Sequence, residues 1–281
     1  MNNSAVLRLG RSNFVNVIPV HRHLQPQPAL FQELPDVPSR LNRLLRQGQV
    51  DVGEVSSVEF ARGGGQYLIL PDLGLSTTGP VHSVLLLSRL PMEQWRGGYI
   101  EAPFESETSV ALLRVFMKKL WGLDCRLLPE GQGGAQDGPP VALLRIGDRA
   151  IRASSSGQFS HVWDFGQVWQ DWIGLPFVYA LWVARLDSAT AHPGPLAALH
   201  QALLTARDQG LADLEGCASQ ASAALGGDPA FYRQYFQALH YHLGAAEQQG
   251  LARFYHELHQ AGVLAEPVDL RFFRPGPAVG D

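Results

Sequence analysis

The chain has 281 residues, 46% hydrophobic and 17% charged, with a formal net charge of −4. That balance supports a real core, excludes a disordered or fibrous chain, and at this length fits one large domain or two ordinary ones. The charge is spread without a basic run, which excludes nucleic acid as a partner, and two distant cysteines, Cys125 and Cys217, exclude a disulfide framework or a CxxC pair.

The opening Met1-Asn2-Asn3-Ser4 lacks the apolar region and cleavage site of a signal peptide, and no stretch reaches the roughly 18 apolar residues of a membrane span. A cytoplasmic location is expected. Val6 to Leu9 reads as a buried strand and Phe14 to Leu24 as a turn into a short helix around Pro19. Val37-Pro38-Ser39 starts an amphipathic helix through Leu41, Leu44 and Leu45 that Gly48 ends. Val50 to Val55 reads as a strand, Ser56-Ser57 opens a helix that stops at glycines 63 to 65, and Tyr67 to Leu70 is a further strand. This alternation predicts a mostly parallel sheet covered by helices on both faces.

Farther on, Ser83 to Ser88 is an apolar run and Gly98 to Glu101 a short strand, and Ser106 to Trp121 reads as a helix with Val110, Leu113 and Met117 on one side. A Gly-rich loop at 131 to 138 precedes the strand Val141 to Ile146, which runs into Gly147-Asp148, and Leu175 to Ala184 is another apolar strand. From Pro195 the pattern turns helical, with Leu196, Leu199 and Leu203, then Tyr232, Phe236, Leu239 and Leu243, then Leu251, Phe254, Tyr255 and Leu258. The fold class predicted is α/β with two lobes joined by crossover strands and a helical C-terminal region. The division expected is residues 1–89 in lobe 1, 90–175 in lobe 2, and 176–281 returning to lobe 1.

His21-x-His23, His240-x-His242 and His256-Glu257-Leu258-His259 suggest a metal, but the last falls one residue short of HExxH, and histidines are common on polar helix faces. They are expected at the surface, with no metal and no cofactor. The glycine runs lack phosphate-loop spacing and no GxSxG elbow is present, so covalent catalysis has no support. Four strand-to-helix junctions are instead rich in hydroxyl and amide groups: Ser12 to Asn16, Ser56-Ser57, Thr77 to Ser83, and Ser106 to Ser109. Helix N-termini beyond strand ends favour anions. Capping is the other reading of each junction taken singly; four in one chain favour a shared anion site. Asn13, Ser57, Ser83, Thr108 and Ser109 are therefore expected to bind a small carboxylate-bearing molecule on which the lobes close, with 13 to 16 lining the cleft.

The stretches RLGRSNFVNVIP (8–19), DVPSRLNRLLRQGQVDVGEVSSVEF (36–60), STTGPVHSVLLLSRLP (76–91), SETSVALLRVF (106–116), LLRIGDRAI (143–151) and DFGQVWQDWIGLPFVYALWVAR (164–185) carry a resemblance. In the family's order, they resemble the menaquinone-biosynthesis family of the futalosine route, and within it the chorismate dehydratase branch. The GPVxSVLL segment favours that branch over its sister, 1,4-dihydroxy-6-naphthoate synthase. The resemblance implies a type II periplasmic-binding-protein-like fold and loss of water from chorismate. It also implies that Asn16 orients the reacting end, while the proton acceptor is Asp148 or the substrate's own enolpyruvyl carboxylate. The sequence departs from the family at Asn13, where serine is usual, at Glu54 and Ser56, where an apolar residue and proline are common, and at Arg149. A noncatalytic solute-binding protein would share the fold but carry an export signal or lipid anchor. The partner expected is a small-molecule substrate, with room for a homodimer and no role for a membrane.

Overall fold

A computed structural model of the chain describes residues 6–103, 106–154 and 156–274; the opening Met1 to Ser4, read for an export signal, lies outside them. In chain order the elements are β1 (Leu7–Ser12), α1 (Ile18–His21), β2 (Phe31–Asp36), α2 (Pro38–Arg46), β3 (Val52–Ser56), α3 (Ser57–Arg62) and β4 (Tyr67–Thr77). Next come β5 (Val84–Ser88), β6 (Tyr99–Ala102), α4 (Glu107–Val115), β7 (Arg126–Pro129), β8 (Ala142–Ile146), α5 (Gly147–Ser154), β9 (His161–Asp164), α6 (Phe165–Ile173) and β10 (Phe177–Arg185). Five helices follow: α7 (Leu186–Ala191), α8 (Pro193–Ala212), α9 (Leu214–Leu225), α10 (Pro229–Ala238) and α11 (Ala245–Gln260).

Two compact units result, one of Met1–Ser76, Val178–Ala245 and Val268–Asp281, the other of Thr77–Phe177 and Ala246–Pro267. The first sheet has the order β2-β1-β3-β10-β4, with β1 parallel to β2 and β3, and β10 antiparallel to β3. The second has the order β7-β6-β8-β5-β9, with β6 parallel to β7 and β8, and β5 antiparallel to β8 and β9. Both sheets are therefore mixed where a mostly parallel one was expected. Strand-helix-strand units set the parallel half of each, and an antiparallel strand from elsewhere in the chain completes it.

The strands that periodicity does not reveal, β2, β7 and β9, all lie at sheet edges. Edge strands need no buried apolar run and tolerate proline, as Pro35 in β2 and Pro129 in β7 show. Two interior strands carry long buried apolar runs, β5 from Val84 to Leu87 and β10 from Leu181 to Ala184. The Ser106 to Trp121 helix divides, α4 passing at Phe116 into a π-helical turn that ends on left-handed Gly122.

Glycines set two close backbone approaches. A Cβ added to Gly210 of α8 would lie 1.8 Å from the Pro19 carbonyl oxygen in α1, and one added to Gly250 of α11 would lie 2.0 Å from that of Pro176. Contacts this short cannot be relieved by side-chain motion, because backbone stands on the far side. Gly210 thus seats α1, and with it the segment from Asn13 to His21, against α8. Gly210→Ala should lower stability by about 1–3 kcal/mol as α1 is pushed off its seat, read from the urea midpoint; an unchanged midpoint would contradict this packing.

Candidate functional site

In the second unit the topology brings three helix starts to one edge of the sheet. β6 and β8 run parallel, and α4 and α5 begin beyond their C-terminal ends. β5 is antiparallel to β8, so Val84 at its start faces Ile146 at the end of β8, and β9 finishes beside it with Asp164 opposite Leu85. Ser83, Thr108, Ser109 and Asp148 therefore share this edge, although the Thr77 to Ser83 segment, expected to pass from a strand into a helix, joins β4 to β5 instead. The Ser83 carbonyl accepts the Gly147 N–H at 2.7 Å, which fixes Ser83 beside Asp148. Ser83 Oγ donates to the Val81 carbonyl at 3.3 Å, and Ser106 Oγ to Ser109 Oγ at 2.9 Å. Ser83, Thr108 and Ser109 are buried. Each helix start contributes a partial positive charge, which favours an anion.

Asp164 organises this edge, a role that the sequence reading missed. Its carboxylate accepts the N–H groups of Val81 at 2.9 and 3.1 Å and of His82 at 2.7 Å, while capping α6 through Gly166 at 2.9 Å and Gln167 at 3.3 Å. His82 has a left-handed φ of 60°, which is unusual for a side chain of its size. Asp164 holds that turn in place and so delivers Ser83 to the start of β5. The signal available in the sequence was the N-cap position alone, Asp164 before the run starting at Phe165.

Asp148 opens α5 and is partly buried, and burial raises its carboxyl pKa while Arg152, one turn on, opposes the rise. Its Oδ1 is shielded from solvent and has no hydrogen-bond partner among the described residues. That is a carboxylate with an oxygen to offer.

In the first unit, Asn13 and Asn16 part company. Asn13 is exposed and lines a pocket of about 560 Å³ with Arg11, Phe14, His21, Arg22 and His23. Asn16 is held from its backbone, its carbonyl accepting the Tyr241 hydroxyl at 2.9 Å, while its Oδ1 is shielded and without a partner among the described residues. Ser57 begins α3 and is fully buried; its neighbour Ser56 caps the helix, accepting the Glu59 N–H at 3.2 Å.

Glu54, met in the sequence only as a departure from the resembled family, is buried in β3 directly opposite Trp182 of β10. Burial pushes its carboxyl up to about 8. His21 corrects the expectation of surface histidines: it is buried on α1 with its ring centroid 6.2 Å from that of Trp182. Burial, helped by the charge of Arg11, lowers its imidazole to about 3, so it is neutral at pH 7. A glutamate inside the run VDVGEVSSV was the available signal for the first. The second had none, since Pro19 and Gly210 set the burial of α1.

The chain is similar to a defined set of known proteins. The model of the menaquinone biosynthesis family matches residues 7–260. A chorismate dehydratase from Thermus thermophilus is 32% identical over 266 residues, covering 88% of this chain and 93% of the relative. One from Campylobacter jejuni is 28% identical over 177 residues, covering 61% and 64%. Among solved structures, an Archaeoglobus fulgidus protein superposes with a TM-score of 0.69 at 15% identity over 93% of this chain and 100% of that one. The periplasmic aliphatic sulphonate-binding protein of Escherichia coli gives 0.66 at 14% identity over 98% and 94%. The fold is periplasmic-binding-protein-like.

Two outcomes follow from this geometry. Asp164→Ala removes the acceptor for N–H groups of two segments and should cost about 2 kcal/mol or more, seen as a lower unfolding midpoint with faster proteolysis near residues 79 to 83. Wild-type stability there would show that the turn holds itself. The second concerns pH. Glu54 binds its proton more tightly when folded, so its contribution falls as pH rises from 4.5 to about 8, whereas His21 loses its proton more readily and its contribution rises from about 3 to 6.5. Between 6.5 and 8 Glu54 alone of the two acts, and stability should decline by about 1 kcal/mol per pH unit. Glu54→Leu should flatten that decline in denaturant titrations, and an equal slope in both proteins would contradict the assignment.

Proposed function

This chain belongs to the menaquinone biosynthesis family, and from that premise we propose that it is a hydro-lyase removing water from chorismate to give 3-[(1-carboxyvinyl)oxy]benzoate, a step of the futalosine route. The observation that carries this is the 32% identity to a chorismate dehydratase over 88% of the chain. The site chemistry supports it.

Chorismate bears two carboxylates and a ring hydroxyl beside the carbon that holds the enolpyruvyl ether. Loss of that hydroxyl with the neighbouring ring proton leaves a benzene ring, so the reaction is strongly downhill and the protein has only to lower a barrier. Electrostatic placement suffices for this. In the second unit, Ser83, Thr108, Ser109 and the starts of α4 and α5 hold a carboxylate through hydroxyl and N–H groups. Asp148 takes the ring proton, its raised pKa making it a better base than an ordinary aspartate. In the first unit, Asn16 directs the reacting end through its unpaired amide oxygen, and Asn13 and Ser57 are further ligand contacts.

Incubation of purified protein with chorismate should yield a product lighter by one water in the mass spectrum; a folded sample at high concentration that yields none would refute the proposal. Asn16→Ala should lower kcat about tenfold to a thousandfold at an unchanged unfolding midpoint. A wild-type rate would remove Asn16 from the reaction.

A further inference from the structure

The first unit contains a connected set of polar atoms that its interior leaves unmet. Glu54 Oε2 on β3, Trp182 Nε1 on β10, Ser76 Oγ on β4, Asn16 Oδ1 ahead of α1 and both ring nitrogens of His21 are shielded from solvent without a hydrogen-bond partner among the described residues. They are neighbours. Glu54 and Trp182 face each other across the antiparallel pair, and Trp182 lies against the His21 ring. Ser76 pairs through its main chain with His240 at 2.8 and 2.9 Å, and the next residue, Tyr241, bonds the Asn16 carbonyl and feels the charge of Glu54.

An unmet buried donor or acceptor costs about 1–3 kcal/mol, and native interiors leave few of them. Six such atoms in neighbouring residues call for a polar guest. Its chemistry can be read from the set. Trp182 Nε1 donates, Asn16 Oδ1 accepts, and Ser76 and neutral His21 can do both. The one cation nearby, Arg11, whose charge reaches His21, has its Nε without a hydrogen-bond partner among the described residues but faces Glu33 at 3.4 Å. A carboxylate would compete with Glu33 for that charge, whereas a hydroxyl or a water needs no countercharge. The guest is a neutral hydroxyl.

We infer that this set is the subsite for the departing hydroxyl of the substrate, and that Glu54 in its neutral acid form gives that hydroxyl its proton. The inference rests on the dehydration proposed above. Neither the other members of the set nor the neighbouring Tyr241 can serve as the acid. His21, with its pKa near 3, carries no extra proton at pH 7, and the Tyr241 phenol is pushed well above its usual value by burial and by Tyr235, Cys217 and Glu54, with its O–H committed to Asn16. Serine and tryptophan are not acids in this range. Glu54, raised to about 8 by burial, holds an available proton at neutrality. The Glu54 O–H bond breaks as its proton joins the hydroxyl oxygen, and the carbon–oxygen bond breaks with its electron pair leaving on water. The ring C–H pair becomes the new ring double bond. The ring proton passes to the accepting carboxylate and then, through solvent, replaces the one Glu54 gave.

The test is the pH profile of chorismate turnover for wild type, Glu54→Gln and Glu54→Leu, with unfolding midpoints measured alongside. Wild-type kcat should fall as pH rises through about 8. Glu54→Gln, which keeps shape and polarity but has no acid proton, should lose about 10²–10³ in kcat with little change in KM and lose that falling limb. Glu54→Leu should behave likewise and supplies the reading if the amide variant folds poorly. A wild type that converts chorismate while either folded variant keeps its rate and its limb overturns this inference alone. A wild type that leaves chorismate intact overturns the dehydration reading, and this one with it.

Discussion

The carboxylate of Asp164 does more to shape the second unit than any other single side chain described. By accepting N–H groups from Val81 and His82 on one side and from Gly166 and Gln167 on the other, it joins the entry of β5 to the end of β9 and the start of α6. The left-handed turn at His82 depends on that attachment. Once it is made, Ser83 lies beside Gly147 and the helix starts of α4 and α5 share its edge of the sheet. The Ser83 side of that edge is thus placed by one carboxylate meeting backbone donors.

The two units differ in the electrostatics they offer a ligand. The second presents hydroxyls and helix N-termini, which suit a carboxylate and need no lysine or arginine to do so. The first presents a polar but uncharged interior in which Glu54 and His21 are both held neutral by burial. Burial thus has opposite chemical effects on the two groups: it keeps a proton on the glutamate and strips one from the histidine.

Much of the fold was legible in the sequence because its signals are local. β5 opens with the apolar run Val84 to Leu87 and β8 is apolar but for Arg145, α2 begins at Pro38 and repeats leucine at helical spacing, and the junction at Ser106 to Ser109 opens α4 as read. Edge strands β2, β7 and β9 were invisible because an edge asks little of its side chains. The candidate site was legible where it is made of helix starts, as at Ser83, Thr108, Ser109 and Asp148. It was illegible where it depends on contacts distant in sequence. Asp164 reaches back over eighty residues to Val81, Tyr241 reaches Asn16 across more than two hundred, and His21 is buried because Gly210 admits the backbone of Pro19. Glu54 showed itself as an anomaly of composition, and only its unpartnered burial opposite Trp182 gave that anomaly a meaning.

The dehydration proposed above requires that its product bind at Asn16, Ser83, Thr108, Ser109 and Asp148. Hydrogen–deuterium exchange, read by mass spectrometry with and without 3-[(1-carboxyvinyl)oxy]benzoate, tests it most directly. The account predicts slowed exchange in segments 81 to 84, 106 to 110, 147 to 150 and 14 to 18 at saturating ligand. Unchanged exchange in all four segments, or protection confined to other parts of the chain, would contradict it.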